Sequence, residues 1–107
     1  MPPYQKITIK NKTYALVHSG VQHGATPDNL DYFETHSYMT AETNYHKRYF
    51  KKPNEYLVTG HTPTYFINKS YRGRIYRKLN HIAIDVGAVF GETLACVCLD
   101  TQEEYFI

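Results

Sequence analysis

Two short apolar runs in this chain each end on a histidine. Tyr14-Ala15-Leu16-Val17 leads into His18-Ser19-Gly20, and Tyr56-Leu57-Val58-Thr59-Gly60 leads into His61-Thr62-Pro63. Short runs rich in branched and aromatic residues, closed by small or turn-forming residues, read as buried strands. In layered α/β folds ligands gather just beyond the carboxyl ends of strands. A neutral imidazole is the commonest side-chain ligand for transition metals. Two histidines at neighbouring strand ends therefore suit one ion, each needing an acceptor for its other ring nitrogen. The same pattern also suits two hydrogen-bonded structural histidines, and a zinc-like ion calls for at least three protein ligands. Spacing alone leaves both readings open.

The remaining elements are read from periodicity. In residues 4–10 Tyr4, Lys6, Thr8 and Lys10 alternate with Gln5, Ile7 and Ile9, which predicts a strand with one wet face. Asn11-Lys12 is the expected two-residue turn into a second strand over 13–17, so the chain opens with a hairpin. Thr26-Pro27-Asp28 has the form of a helix start, with a cap, a first-turn proline and an acid near the positive dipole end. A second helix is predicted over 41–50, with Lys47, Arg48, Lys51 and Lys52 at its C-terminal end and Pro53-Asn54 as its stop. Further strands are expected at 56–59, 81–86 and 94–99, with shorter strand signals at 65–67 and 75–77 in a mixed stretch and at 104–107, and with a loop fixed by Pro63 over 60–64. The tally is about six strands and two helices in a single domain, 1–107.

Composition narrows the function classes. The net charge is +2, from 12 basic and 10 acidic residues, too small to point to a nucleic-acid or membrane partner. No apolar run approaches the ~20 residues of a membrane helix, and the MPPYQKITIK start lacks the apolar stretch of a signal peptide. These readings predict a cytoplasmic protein without a membrane partner. Eleven tyrosines lean toward sheet and toward contact surfaces. Cys96 and Cys98 flank Val97 in an apolar run and are expected as free, buried thiols, with a CxC metal site as the alternative. Lys69, Arg72, Arg74, Arg77 and Lys78 interleave with Tyr65, Tyr71 and Tyr76, a pattern shared by nucleic-acid-tracking surfaces and by solvated hairpins. His23, His36 and His46 have no partner spacing, and His81, before an apolar strand, reads as structural.

Three stretches carry a family resemblance. LVHSG (16–20) resembles the VHAG motif of metallophosphoesterases related to protein serine/threonine phosphatases and diadenosine tetraphosphatases. VTGHTPT (58–64) resembles their GHTPT motif, and NHIAIDVGAVFGETLACVCLDTQEEYF (80–106) resembles the ending of short bacterial members. The resemblance implies an α/β (α+β) chain forming the C-terminal part of a four-layer αββα sandwich, mainly one mixed or antiparallel sheet with about two helices. It implies two metals, manganese, iron or zinc, that activate a water for in-line attack on a phosphate ester. It makes His18 and His61 ligands of the same metal. It gives Asp85, Gly87, Gly60 and Thr62 supporting roles beside the site rather than ligand roles. Its substrates would be phosphorylated proteins or small phosphate esters.

The departures from the family pattern are as informative. The DxH, GDxxDRG and GNHE motifs, which supply the other metal, the bridging aspartate and the catalytic histidine, do not occur in these 107 residues. Where the family often has a phosphate-holding arginine, this chain reads Thr40-Ala41-Glu42. No catalytic residue is therefore assigned, and the isolated chain is expected to have negligible phosphatase activity. A chain supplying mainly one sheet is also expected to associate, most simply as a homodimer through the exposed sheet. The alternative function is a non-catalytic interaction or weak metal-binding module derived from that fold.

Overall fold

In the computed structural model, which describes residues 4–33 and 37–107, β1 (Tyr4–Ile9) and β2 (Lys12–Val17) form the opening hairpin, with Tyr4 opposite Val17 and Ile9 opposite Lys12. The turn lies one residue earlier than expected: Lys10 and Asn11 connect the strands, at φ 50° and 68°. Positive φ at both loop residues matches the right-handed twist of the flanking strands. The offset has a tertiary cause. Asn54 Nδ2 donates to the Asn11 carbonyl at 3.1 Å, and the Asn54 carbonyl accepts from the Thr13 N–H at 2.9 Å.

β3 (Glu55–Thr59) then pairs parallel to β2, with Val17 opposite Thr59. β5 (His81–Ala83) pairs parallel to β3, and β4 (Tyr76–Lys78) pairs antiparallel to β5. The result is a five-stranded mixed sheet, ordered β1-β2-β3-β5-β4, with a separate two-stranded sheet of β6 (Ala95–Val97) and β7 (Glu104–Phe106). Asn80, in the β4–β5 turn, donates through Nδ2 to the carbonyls of Lys52, Pro53 and Glu55. It ties that hairpin to the entry of β3.

Period-2 alternation assigns the two faces of the sheet. Ala15, Val17 and Leu57 face a cluster completed by Val21, Ala25, Leu30, Tyr38 and Phe50. Tyr14, Val58 and Ile82 face the other way, where Ala95, Val97 and Leu99 of the small hairpin region pack against them. A polar clamp holds that hairpin down. Arg77 donates to Glu104 at 2.7 Å and to Gln102 at 3.0 Å, and Gln102 donates to the Tyr14 hydroxyl at 2.9 Å.

Several local expectations are corrected. Residues 41–50 are irregular rather than helical, and the nearest helix, α1 (Ser37–Thr40), is a single turn just before them. Polar side chains in this stretch bond the backbone instead of leaving it to a helical ladder. Asn44 Oδ1 accepts from the His46 N–H, the Tyr49 hydroxyl accepts from the Asn44 N–H, and Arg48 donates to the Phe50 carbonyl. Thr26 makes a local turn with Asp28 and Asn29, but only a three-residue 3-10 turn, Leu30–Tyr32, follows. The strand expected at 65–67 is a helical turn, α2 (Thr64–Ile67), started by Pro63 and held by Thr64 N–H to the Asp85 carbonyl at 2.8 Å. Cys96 and Cys98 are both free, but Cys96 is exposed and Cys98 half-buried, because the small hairpin covers the main sheet with one face only. The described residues thus hold seven strands, two one-turn α-helices and three 3-10 turns. Among them no helix is long and apolar enough to cross a membrane.

Candidate functional site

Because β2 and β3 are parallel neighbours, their carboxyl ends open on the same edge of the sheet, and the two histidines that follow meet there. Nε2 of His18 lies 3.1 Å from Nδ1 of His61, with ring centroids 4.9 Å apart. Both side chains are exposed. The Gly60 N–H donates to the His18 carbonyl at 2.9 Å, which ties the two loops together at the backbone.

The loops are held by different means. After His18 the chain is clamped from outside. Ser19 is buried; its N–H donates to the Tyr38 carbonyl at 2.8 Å and its hydroxyl to the Ala41 carbonyl at 2.7 Å. The Ser19 carbonyl accepts from the Thr43 hydroxyl at 2.8 Å. Gly20 is required by space: a Cβ there would sit 2.3 Å from Thr43 Oγ1. After β3 the loop is held by its own backbone. The Thr62 N–H reaches back to the Gly60 carbonyl at 2.7 Å, closing a three-residue turn with His61 at its centre and φ 67°. Positive φ makes this the rare, strained form of such a turn, and a left-handed non-glycine residue costs about 1 kcal/mol. Residues held in sparsely populated backbone regions cluster at functional sites.

The donor geometry suits part of a metal site. Imidazole nitrogens 3.1 Å apart, each about 2.1 Å from a shared ion, subtend roughly 95° at that ion. That is near the right angle of octahedral coordination. The set is incomplete, since no group of three or more His, Cys, Asp or Glu able to hold a metal occurs among the described residues. Asp85 points elsewhere: its carboxylate accepts from the Gly87 N–H at 3.0 Å. Gly87 sits at φ 94°, where an added Cβ would lie 3.3 Å from Glu92 Cγ, so the glycine is structural. Gly60 is not demanded by space, because a Cβ there would meet only the His18 carbonyl at 3.6 Å. Thr62 serves through its backbone bond.

Beside Thr59, the last residue of β3, lies His81, 2 % exposed. Its Nε2 is 2.8 Å from Thr59 Oγ1, and its ring stacks on Tyr45 at 5.1 Å. Burial lowers its pKa from 6.5 to about 4, so the ring is neutral at physiological pH. Beside His18 an open, mainly apolar groove of about 340 Å³ runs along the strand ends, lined by Tyr4, Leu16, Met39, Val58 and Ile84.

Other singled-out residues resolve as follows. His23, expected to be without a partner, accepts at Nδ1 from the Lys47 ammonium at 2.7 Å; nothing in the spacing of residues 24 apart signals this. His46 is exposed, and His36 lies outside the described residues. In the basic stretch, Arg72 pairs with Glu92 at 2.5 Å and Arg77 with Glu104 at 2.7 Å. Tyr76 is buried, with Tyr71 packed edge-on against it. These pairings involve two of the five cations of the stretch, while Lys69, Arg74 and Lys78 are exposed. No protein-family model, no curated protein and no solved structure matches this chain.

Proposed function

We propose that this chain is the C-terminal region of a metal-dependent phosphoesterase of the serine/threonine phosphatase type. The observation that supports this best is the convergence of His18 Nε2 and His61 Nδ1 to 3.1 Å at adjoining strand ends. Each histidine sits in a stretch that resembles a metallophosphoesterase motif, VHAG for one and GHTPT for the other. On this reading the two imidazoles hold one divalent ion, manganese, iron or zinc. The four-layer αββα sandwich is part of the same proposal, with the five-stranded sheet as one of its inner layers. A bound pair of ions would supply an activated water for attack on a phosphate ester. This chain's own contribution is to position two imidazoles on a rigid edge, with the Ser19 clamp and the His61 turn fixing their angle. The bridging aspartate and catalytic acid of such a site have no counterpart motif here, so the 107 residues alone should bind metal weakly and hydrolyse almost nothing.

Calorimetric titration of zinc and of manganese tests the ligand assignment. Weak binding by the parent chain that disappears in both His18→Ala and His61→Ala is the expected result. Undiminished binding in either variant would remove that histidine from the ligand set. Robust manganese-dependent hydrolysis of p-nitrophenyl phosphate by the purified chain would show that it needs no further residues.

A second reading has its own support. With no group of three metal-holding side chains among the described residues, and with large apolar residues such as Val89, Phe90, Phe66 and Ile107 exposed, the chain also suits a non-catalytic interaction module, including a homodimer. Light scattering at micromolar concentration separates the two, since a stable metal-free dimer favours the module.

A further inference from the structure

Sharing Ala41 with the Ser19 clamp, a second, larger groove of about 640 Å³ opens. Its walls are the loop at 21–23, the α1 residues Ser37 and Thr40, and the irregular stretch at 41–49. Lys47 lines it, with its ammonium 2.7 Å from His23 Nδ1 and 4.8 Å from the centroid of the Tyr49 ring. Among the described residues no carboxylate lies within ion-pair distance of it.

Four side chains of this groove, Lys47, His23, Tyr49 and Asn44, present donors to it. A lysine ammonium has donors and no acceptor, so the Lys47–His23 contact makes Nδ1 the acceptor and leaves the proton of a neutral ring on Nε2. Lys47 retains two further N–H groups. Tyr49 Oη already accepts from the Asn44 N–H at 2.8 Å, and Asn44 Oδ1 already accepts from the His46 N–H at 3.0 Å. What these side chains still offer is a set of donors: the Lys47 ammonium, the His23 Nε2–H, the Tyr49 hydroxyl proton and the Asn44 amide. A concentration of donors around one cation is the complement of an oxyanion with several acceptor oxygens. Glu42, exposed on the same wall, is an opposing charge.

We propose that this groove binds a phosphoryl group, with Lys47 and His23 as its principal donors. As the seat of the substrate's phosphate it rests on the phosphoesterase reading, and it supplies the cation that Glu42 fails to supply at the family's arginine position. The charge of Glu42 then acts as an attenuator rather than a block, because Lys47 reaches the groove from five residues further along the irregular stretch. That stretch must be irregular for this to work: its side-chain-to-backbone bonds place Asn44, Lys47 and Tyr49 on one wall.

The test is titration of inorganic phosphate into the full chain, followed by the side-chain NMR signals of its histidines. Saturable movement of the His23 signal is expected. Lys47→Ala should weaken binding about tenfold, the loss of one charge-assisted hydrogen bond. His23→Ala should weaken it less, and Lys47→Arg should retain it. Glu42→Gln should tighten it about threefold, the scale of one exposed charge. Acetate, with fewer acceptor oxygens, should bind more weakly than phosphate. A motionless His23 signal, equal binding by Lys47→Ala and by His23→Ala, or acetate matching phosphate would each overturn the proposal. A parallel zinc titration reads the other site through His18 and His61. Zinc binding there without phosphate binding sinks the groove alone, whereas phosphate binding without zinc binding keeps an anion site and sinks its link to metal chemistry.

Discussion

The two histidine loops start from the same sequence plan and end with different physics. His18 leaves β2 on a relaxed backbone and is held by its neighbours: Tyr38, Ala41 and Thr43 together bond the backbone and side chain of Ser19. His61 leaves β3 through a strained turn closed by its own Gly60–Thr62 bond. Its deeper support is the buried contact between Thr59 and His81. A strand that ends in a histidine and small residues thus states where the imidazole will be, but not what will hold it. One loop depends on distant residues, the other on local backbone strain and a buried ring beside Thr59.

The largest effect that separates the loops should come from pH. The folded pKa of His81 is about 4, below the ordinary 6.5, so between these values the unfolded chain binds the extra proton. Stability is therefore complete above about pH 6.5 and falls as pH drops toward 4. The full loss is about 3 kcal/mol, at 1.36 kcal/mol per unit. Urea unfolding at a series of pH values should show this slope, and His81→Gln should flatten it. If the slope survives in that variant, His81 is not the group whose burial sets it.

The external clamp of the His18 loop should show itself next. Ser19→Ala leaves the Ala41 carbonyl without its hydroxyl donor and should cost about 2 kcal/mol. Gly20→Ala forces a Cβ against Thr43 Oγ1 and should cost about 1–3 kcal/mol. Adding Thr43→Ala to that variant should recover part of the loss, and strict additivity in this double-mutant cycle would contradict the contact.

The smallest effect has the opposite sign. His61→Gly removes the left-handed strain and should raise stability by about 1 kcal/mol, while abolishing metal binding. His18→Gly relieves no strain and should be neutral or destabilising. A melting temperature that falls in His61→Gly would mean that the turn stores no strain.

Much of the sheet was legible along the chain, and the reasons are local. Alternation over residues 4–17 predicts the opening hairpin, and the Tyr56–Thr59 run predicts a buried strand; both form, with β3 starting at Glu55. The Thr64–Ile67 turn was misread as a strand, since Tyr65 and Ile67 suit either state over so short a span and the deciding bond comes from the Asp85 carbonyl. The helix expected at 41–50 fails for a similar reason. Its cationic end and proline stop are sound signals, but Thr43, Asn44 and Tyr49 use their polar atoms on nearby backbone and on the Ser19 loop.

The sequence by itself determined which residues end the strands, and with them the chemistry at the sheet's edge, because period-2 burial and strand propensity act over a few neighbouring residues. Only the tertiary structure decided that His18 and His61 lie side by side, because the parallel pairing of β2 with β3 joins segments more than forty residues apart. It alone decided that Lys47 meets His23, since that contact depends on an irregular path fixed by side-chain hydrogen bonds with no periodic signature. Local rules place a side chain on its element; long-range pairing determines which elements meet.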